Sequence, residues 1–257
     1  MNVVIVRYSE IGTKGLNRPY FEDKLISNIR TCLNKKPIIK KFRGRIFIYT
    51  DKNYGKLRYI FGISSFSPAA EIFLEDVNQK VLSLIKNEKT FRITAKRIDK
   101  NFPKTSQQLN EEIGSFIQKH KKIDVDLNNP QINIGVEIIN NHAYIFKNTF
   151  KGLNGLPILT EGRAFARVKD KKKSMVAAFL ILKRGTPVST SLKLLLSKFE
   201  YGFKIHVRKE NDNDKVIIND ETNLKNIKRE KDKLILSPLI GLTESQIDNL
   251  YKKIMQL

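Results

Sequence analysis

Phe91-Arg92-Ile93-Thr94-Ala95-Lys96-Arg97-Ile98-Asp99-Lys100-Asn101-Phe102-Pro103-Lys104-Thr105-Ser106-Gln107-Gln108-Leu109-Asn110 is the stretch whose reading decides the fold. Phe91, Ile93 and Ala95 alternate with Arg92, Thr94 and Lys96, the period of a strand with one buried face. A basic loop follows. Across the stretch Arg92, Lys96, Arg97, Lys100 and Lys104 stand against one acid, Asp99, with Phe102 and Pro103 inside the loop. Ser106 predicts an N-cap, and Leu109, Ile113, Phe116 and Ile117 continue at helical spacing. The predicted order is strand, basic loop, helix. Such a loop can bring cations and an aromatic face to a phosphate backbone and an unpaired base. A solvated basic hairpin beside a core Phe fits the same residues.

The chain has 257 residues, room for one large domain or two to three small ones, and its 40% hydrophobic content supplies ordinary cores. Its net charge is +22 and its pI about 9.9. That much charge of one sign destabilises a compact state by self-repulsion, so binding to a polyanion is its expected use. A membrane surface is the rival, but no long apolar run or basic amphipathic terminal helix supports it. The opening residues 1–10 lead directly into a strand, which predicts no signal peptide. A single cysteine, Cys32, excludes an intrachain disulfide and an all-cysteine metal site. His120, His142 and His206 have no ligand spacing, so no metal is expected. A reducing cytoplasm is the expected location.

Upstream, residues 1–74 read as a small α+β unit. A strand at Val3–Val6 precedes a turn from Gly12 to Gly15. A helix from Pro19 carries Phe21, Leu25, Ile29 and Leu33 on one face. Strands at Ile38–Lys41 and Ile46–Tyr49 flank a turn at Arg43–Gly44. A short helix at Tyr54–Phe61 and a strand at Ser65–Phe73 complete a β-α-β-β-α-β, ferredoxin-like order. Downstream, Val77, Val81, Leu84 and Ile85 form a helix face. Gln131–Ile139 and Ala143–Phe146 form a hairpin around Asn140-Asn141, and His142 beside it reads as an exposed polar residue.

The positions Ala95, Lys96, Arg97, Asp99, Lys100, Phe102, Pro103, Thr105 and Ser106 resemble the signature of the THUMP domain in the ThiI family, the tRNA 4-thiouridine synthetases. Glu10, Gly12, Lys14, Asn17, Arg18 and Phe21 also resemble that family's opening. The resemblance implies an N-terminal ferredoxin-like domain at 1–74, a THUMP domain at 75–157, and a truncated Rossmann-like PP-loop domain with a parallel sheet at 158–257. It implies that the THUMP segment holds the acceptor 3′ CCA end of tRNA. Lys96, Arg97, Lys100, Phe102 and Lys104 are the candidate RNA residues, joined by Lys14 and Arg18. Alternatively, Asn17 caps the helix, Gly12 serves the turn, and Lys14 and Arg18 are solvated.

In the last segment, Ala164–Val168 predicts the first strand and Ser174–Arg184 a helix apolar on nearly all sides, hence buried. Pro187–Thr190, Phe203–Val207, Lys215–Ile218 and Leu234–Leu236 read as strands and Ser191–Phe199 as a helix. Thr243 with Gln246 makes a capping box for a last helix lined by Ile247, Leu250, Tyr251 and Ile254. Alternating strands and helices predict a parallel sheet. Pro238-Leu239-Ile240-Gly241-Leu242 also resembles the family.

The ThiI family adenylates tRNA with ATP and magnesium at a Ser-Gly-Gly-x-Asp-Ser loop, whose glycines let backbone N–H groups reach phosphate. Lys169-Asp170-Lys171-Lys172-Lys173-Ser174 stands in that place, and only the serine matches. Asn219–Asn226 replaces a Gly-rich segment. Sulfur transfer needs a thiolate, and Cys32, in the N-terminal helix, reads as a structural thiol. Glu10 and Asp99 read as salt-bridge partners. No cofactor or catalytic residue is therefore expected. The basic run Arg163, Arg167, Lys169, Lys171, Lys172, Lys173, Lys183 and Arg184 is either further RNA-contact surface or a solvated charge run. The expectation is a tRNA-binding protein with a degenerate nucleotide loop. The alternative is a tRNA sulfurtransferase, or a subunit of one, completed by a catalytic partner protein that supplies the ATP site and cysteine. A purely structural role in a ribonucleoprotein is a third option. The resemblance also implies a homodimer.

Overall fold

The computed structural model describes residues 2–34, 37–42, 44–50 and 54–257. In chain order the elements are β1 (Asn2–Arg7), α1 (Arg18–Leu33), β2 (Ile38–Phe42), β3 (Arg45–Tyr49), β4 (Ser65–Phe73), α2 (Val77–Leu84), β5 (Thr90–Arg97), α3 (Ser106–His120), β6 (Asp124–Val125), β7 (Ile132–Ile139), β8 (His142–Phe146), β9 (Phe150–Lys151), β10 (Ala164–Ala166), α4 (Lys171–Leu182), β11 (Val188–Thr190), β12 (Val216–Ile218), β13 (Leu234–Leu236) and α5 (Glu244–Gln256). They fall into two compact units. One comprises Met1–Val6, Pro37–Lys52 and Phe66–Phe150; the other comprises Arg7–Lys36, Asn53–Ser65 and Lys151–Leu257.

The first unit is built on one sheet in the order β2-β3-β1-β4-β8-β7-β5-β6, with β9 on β4. β2, β3, β1 and β4 are the strands of the expected ferredoxin-like order. Tyr54–Tyr59 forms a 3-10 turn where the sequence predicts a second helix. Arg43, placed in the β2–β3 turn, lies outside the described residues. β4 continues the sheet by pairing antiparallel with β8, Ala70 opposite Ile145 and Ile72 opposite Ala143. β5 and β7 are parallel from Phe91 opposite Ile132 to Arg97 opposite Ile138. A parallel pair needs a crossover, and α3 lies within it. Phe91, Ile93 and Ala95 pack in one core with Leu109, Ile113 and Ile117 of α3 and with Val77 and Val81 of α2. The period-2 and helical spacings thus bury the faces they predict.

The α3 N-cap differs from the expectation. Thr105, not Ser106, caps the helix: its hydroxyl accepts from the Gln108 N–H (3.2 Å), and the Gln108 Oε1 accepts from the Thr105 N–H (2.8 Å). Ser106 is the first helical residue, and its Oγ accepts from the Arg97 N–H at 3.1 Å.

The second unit holds a wholly parallel sheet, β11-β10-β12-β13. α4 is buried along Ser174–Phe179 and at Leu182, as its all-round apolar sequence predicts. α5 starts on the expected Thr243–Gln246 box and buries Ile247 and Ile254. α1 belongs to this unit: Phe21, Leu25, Ile29 and Leu33 are buried, and the Asn28 Nδ2 donates to the Ile158 carbonyl at 3.3 Å. Two expectations fail. Ser191–Phe199 is not a helix, having one 3-10 turn at Ser197–Phe199. Leu194 and Leu196 are buried while Leu195 between them is exposed, the alternation of extended chain. Phe203–Val207 is not a strand, and Val207 makes only an isolated bridge to Thr190. The fold class is otherwise the mixed α+β and α/β architecture that the sequence predicts.

Candidate nucleic-acid interface

The loop after β5 is braced from inside. The Arg97 Nη1 donates to the carbonyls of Lys100 and Phe102, both at 3.1 Å. The Asn101 N–H donates to the Asp99 Oδ1 at 3.0 Å, closing a local turn. Phe102 packs half-buried against the core of the first unit. Lys104 is paired with Glu112. Asn110 of α3 accepts the Ala95 N–H at 2.7 Å, fixing the helix to the strand that feeds the loop. The five candidates therefore separate. Arg97 and Phe102 shape the loop, and Lys104 is neutralised. Lys96 and Lys100 are exposed, and among the described residues neither meets a carboxylate. Beside the loop lies a cavity of about 500 Å³, lined by Phe42, Ile98, Asp99, Lys100, Asn101, Ile139 and Asn140. Its apolar and amide groups suit an unpaired base.

Lys14 and Arg18 belong to the second unit and are half-buried. The Lys14 ammonium sits 4.6 Å from the Phe21 ring centroid. Arg18 lies 3.5 Å from the Glu22 carboxylate and stacks on Tyr8 at 5.9 Å. Asn17 occupies the α1 N-cap position without a side-chain cap bond. Glu10 is a salt-bridge partner, 2.6 Å from Arg184. Asp99 serves its own turn instead.

In the second unit the sheet order reverses between β11 and β12 on either side of β10, and a ligand in such a sheet binds beyond the strand ends at that point. Here the protein's own carboxylate is in the way. The Asp220 Oδ2 accepts from the Asp170 N–H (2.9 Å), the Lys169 N–H (3.3 Å) and the Ser174 Oγ (2.6 Å). Asp170 caps α4 and accepts from the Lys173 N–H at 2.8 Å. Asp220 is 6% exposed. The donors that a phosphate would take are thus bonded to two internal carboxylates. Asp220 was not among the sequence candidates; the signal for it is an acid two residues after the apolar strand Val216-Ile217-Ile218.

The lysines of this loop are also engaged. Lys169 pairs with Glu221 (2.8 Å), Lys172 with Asp248 (2.6 Å) and Lys173 with Glu244. Each of these hydrogen bonds raises the lysine's pKa, and those to Lys169 and Lys172 lower the pKa of Glu221 and Asp248. Arg167 is clasped by Glu230 and Glu210, and its hydrogen bonds push the Glu210 carboxyl down to about 2. Among the described residues Arg163, Lys171 and Lys183 meet no carboxylate. The Cys32 thiol is buried, and burial pushes its pKa up to about 11 against a hydrogen bond with Tyr201. His142 is half-buried against Phe73, with ring centroids 5.2 Å apart. Among the described residues no cluster of His, Cys, Asp or Glu is placed to hold a metal, and no helix is long and apolar enough to cross a membrane.

Comparison with known proteins agrees with this anatomy. Residues 3–67 match the model of the ThiI ferredoxin-like domain and residues 73–147 that of the THUMP domain. A probable tRNA sulfurtransferase of Mycoplasmopsis agalactiae is 38% identical over 191 residues, covering 72% of this chain and 50% of the relative. One from Thermococcus kodakarensis is 38% identical over 205 residues, covering 73% and 54%. The chain spans about half the length of these curated relatives. The crystal structure of PH1313 from Pyrococcus horikoshii Ot3 superposes with a TM-score of 0.83 at 32% identity, covering 99% of this chain and 100% of that one. A 4-thiouridine synthetase crystallised with RNA and ATP superposes with a TM-score of 0.59 at 34% identity, covering 74% of this chain and 52% of that one.

Proposed function

The chain belongs to the ThiI family, and from that premise we infer that it is a tRNA-binding protein of tRNA modification that holds the acceptor 3′ CCA end and does not itself adenylate tRNA or transfer sulfur. The observation that carries the binding is the loop after β5. Lys96 and Lys100, which meet no carboxylate among the described residues, stand on a segment that Arg97 braces, beside a cavity with room for an unpaired base. Preordered cations lose little freedom on meeting a phosphate backbone. Lys14 and Arg18 are weaker RNA contacts, because their charges already serve Phe21 and Glu22.

The second half of the reading is supported by the loop Lys169–Ser174. An ATP phosphate would have to displace the Asp220 carboxylate or lie against it, and like charges about 4 Å apart repel by about 4 kcal/mol at an effective dielectric near 20. The Cys32 thiol is mostly protonated at neutral pH, the wrong state for a nucleophile. A nucleotide-free chain of this kind serves modification by presenting tRNA to a partner that carries the ATP site and the cysteine, or as one half of a homodimer.

Binding of a tRNA transcript across a salt series tests the first half. Replacing Lys96 and Lys100 by Ala should lower the salt slope by about 0.7 to 0.9 for each phosphate no longer neutralised. Removing the 3′ CCA should weaken binding further. Equal affinity for the CCA-less transcript would reduce the reading to nonspecific charge binding. The second half is tested by incubating the purified chain with tRNA, ATP and magnesium. No tRNA-dependent pyrophosphate release is expected; robust release would favour a working sulfurtransferase.

A further inference from the structure

A second cavity lies wholly within the second unit, away in sequence from the loop after β5. Leu159 has φ +72°, a left-handed conformation that bulky side chains rarely adopt. It is held there from both sides. Its N–H donates to the Gly185 carbonyl at 2.9 Å, and its carbonyl accepts from the Tyr20 hydroxyl at 3.3 Å. Strain that the surroundings over-determine is found where a chain binds something. Leu159 and the buried Phe203 line a cavity of about 430 Å³ together with Arg163, Lys204 and His206. Thr31 and Gly202 also line it. Gly202 has φ +84°, and a Cβ there would stand 2.3 Å from the Asn28 Oδ1, so the turn presenting Phe203 and Lys204 is fixed. One acid, Glu200, lines the cavity, and it is already engaged by the Lys204 ammonium at 3.3 Å and the Ile205 N–H at 3.2 Å. Among the described residues the side chains of Arg163 and His206 meet no carboxylate.

We propose that this cavity binds one nucleotide of an RNA strand, its phosphate against Arg163 and His206, whose side chains meet no carboxylate among the described residues, and its sugar and base against Leu159 and Phe203. The volume is that of a small-ligand site, and a guanidinium matches a phosphate with two parallel hydrogen bonds. A lining that combines apolar and basic side chains suits a nucleotide better than a bare inorganic anion. The assignment rests on the RNA-binding reading above and adds a contact point on the α/β unit.

The test is binding of a tRNA transcript by the full chain carrying Arg163→Ala with His206→Ala, beside the unaltered chain and the Lys96→Ala, Lys100→Ala variant. Both new substitutions are at exposed side chains, and an unchanged melting temperature confirms the fold. The double variant should lose affinity by roughly threefold or more, with a salt slope lower by about 0.7 to 0.9. Unaltered affinity and slope, while the Lys96, Lys100 variant is impaired, would overturn the cavity and leave the RNA reading standing. Failure of the unaltered chain to bind tRNA would overturn both.

Discussion

Asp220 is the residue on which the α/β unit turns. Two backbone N–H groups and the Ser174 hydroxyl depend on one of its oxygens. Asp220→Ala leaves the buried Ser174 hydroxyl without its acceptor and frees two part-buried N–H groups, at about 1–3 kcal/mol for a buried donor left unpaired. Denaturant unfolding should register that loss, and Asp220→Asn, which keeps an oxygen, should lose less. Millimolar inorganic phosphate should raise the melting temperature of the Ala variant and leave the parent chain unmoved, since only a vacated site gains from a ligand. Arg97 gives a complementary case. Arg97→Lys keeps the charge but removes the guanidinium whose Nη1 holds both the Lys100 and Phe102 carbonyls. Affinity for tRNA should fall with the salt slope unchanged, the opposite signature from Lys100→Ala. Sequence alone assigned Arg97 to the RNA because a cation inside a basic loop looks like its neighbours; its carbonyl partners become visible only once the loop has a shape.

At the level of elements, legibility followed the range of the interactions. α1, β5, α3, β7 and α5 were readable because apolar spacing is local, and the Thr243–Gln246 box because its two halves are three residues apart. The α3 cap falls one residue before the expected Ser106 because Thr105 and Ser106 both offer a hydroxyl and the deciding partner is Gln108, three after Thr105. Thr105→Ala should cost about 1 kcal/mol in the first unit, measured by urea unfolding. Ser191–Phe199 misled because a leucine-rich run has helical propensity, and packing of Leu194, Leu196 and Phe199 overrode it. The ion pairs of the Lys169–Ser174 loop join residues some fifty to seventy-six positions apart, beyond any local pattern. One of these distant networks sets an acid dependence. Glu210 titrates near 2 in the fold against an ordinary 4.5 because Arg167 and Lys233 bond it. A depressed carboxyl stabilises above its unfolded pKa and loses that contribution as pH falls through its folded one. Thermal stability should therefore decline between about pH 4.5 and pH 2, and Glu210→Gln should flatten part of that decline.

Over the whole molecule the chain is interleaved: each unit draws on three separate stretches, and the path passes repeatedly from one to the other. The ferredoxin-like and THUMP segments share one sheet through the pairing of β4 with β8. A cut between residues 67 and 73 would therefore strip strands from both sides of the join and leave an open edge on each fragment. Interleaving also orders events during synthesis. The strands of the large sheet have all been made by Lys151, but α1, finished at Leu33, buries its apolar face in a unit that includes Ile158 and Gly202. At about 5–20 residues per second the ribosome takes on the order of ten seconds to deliver that cover. For that interval Asn28 lacks the Ile158 carbonyl that its Nδ2 meets in the finished fold, and a nascent chain stalled near Lys151 should show α1 less protected from hydrogen exchange than the sheet.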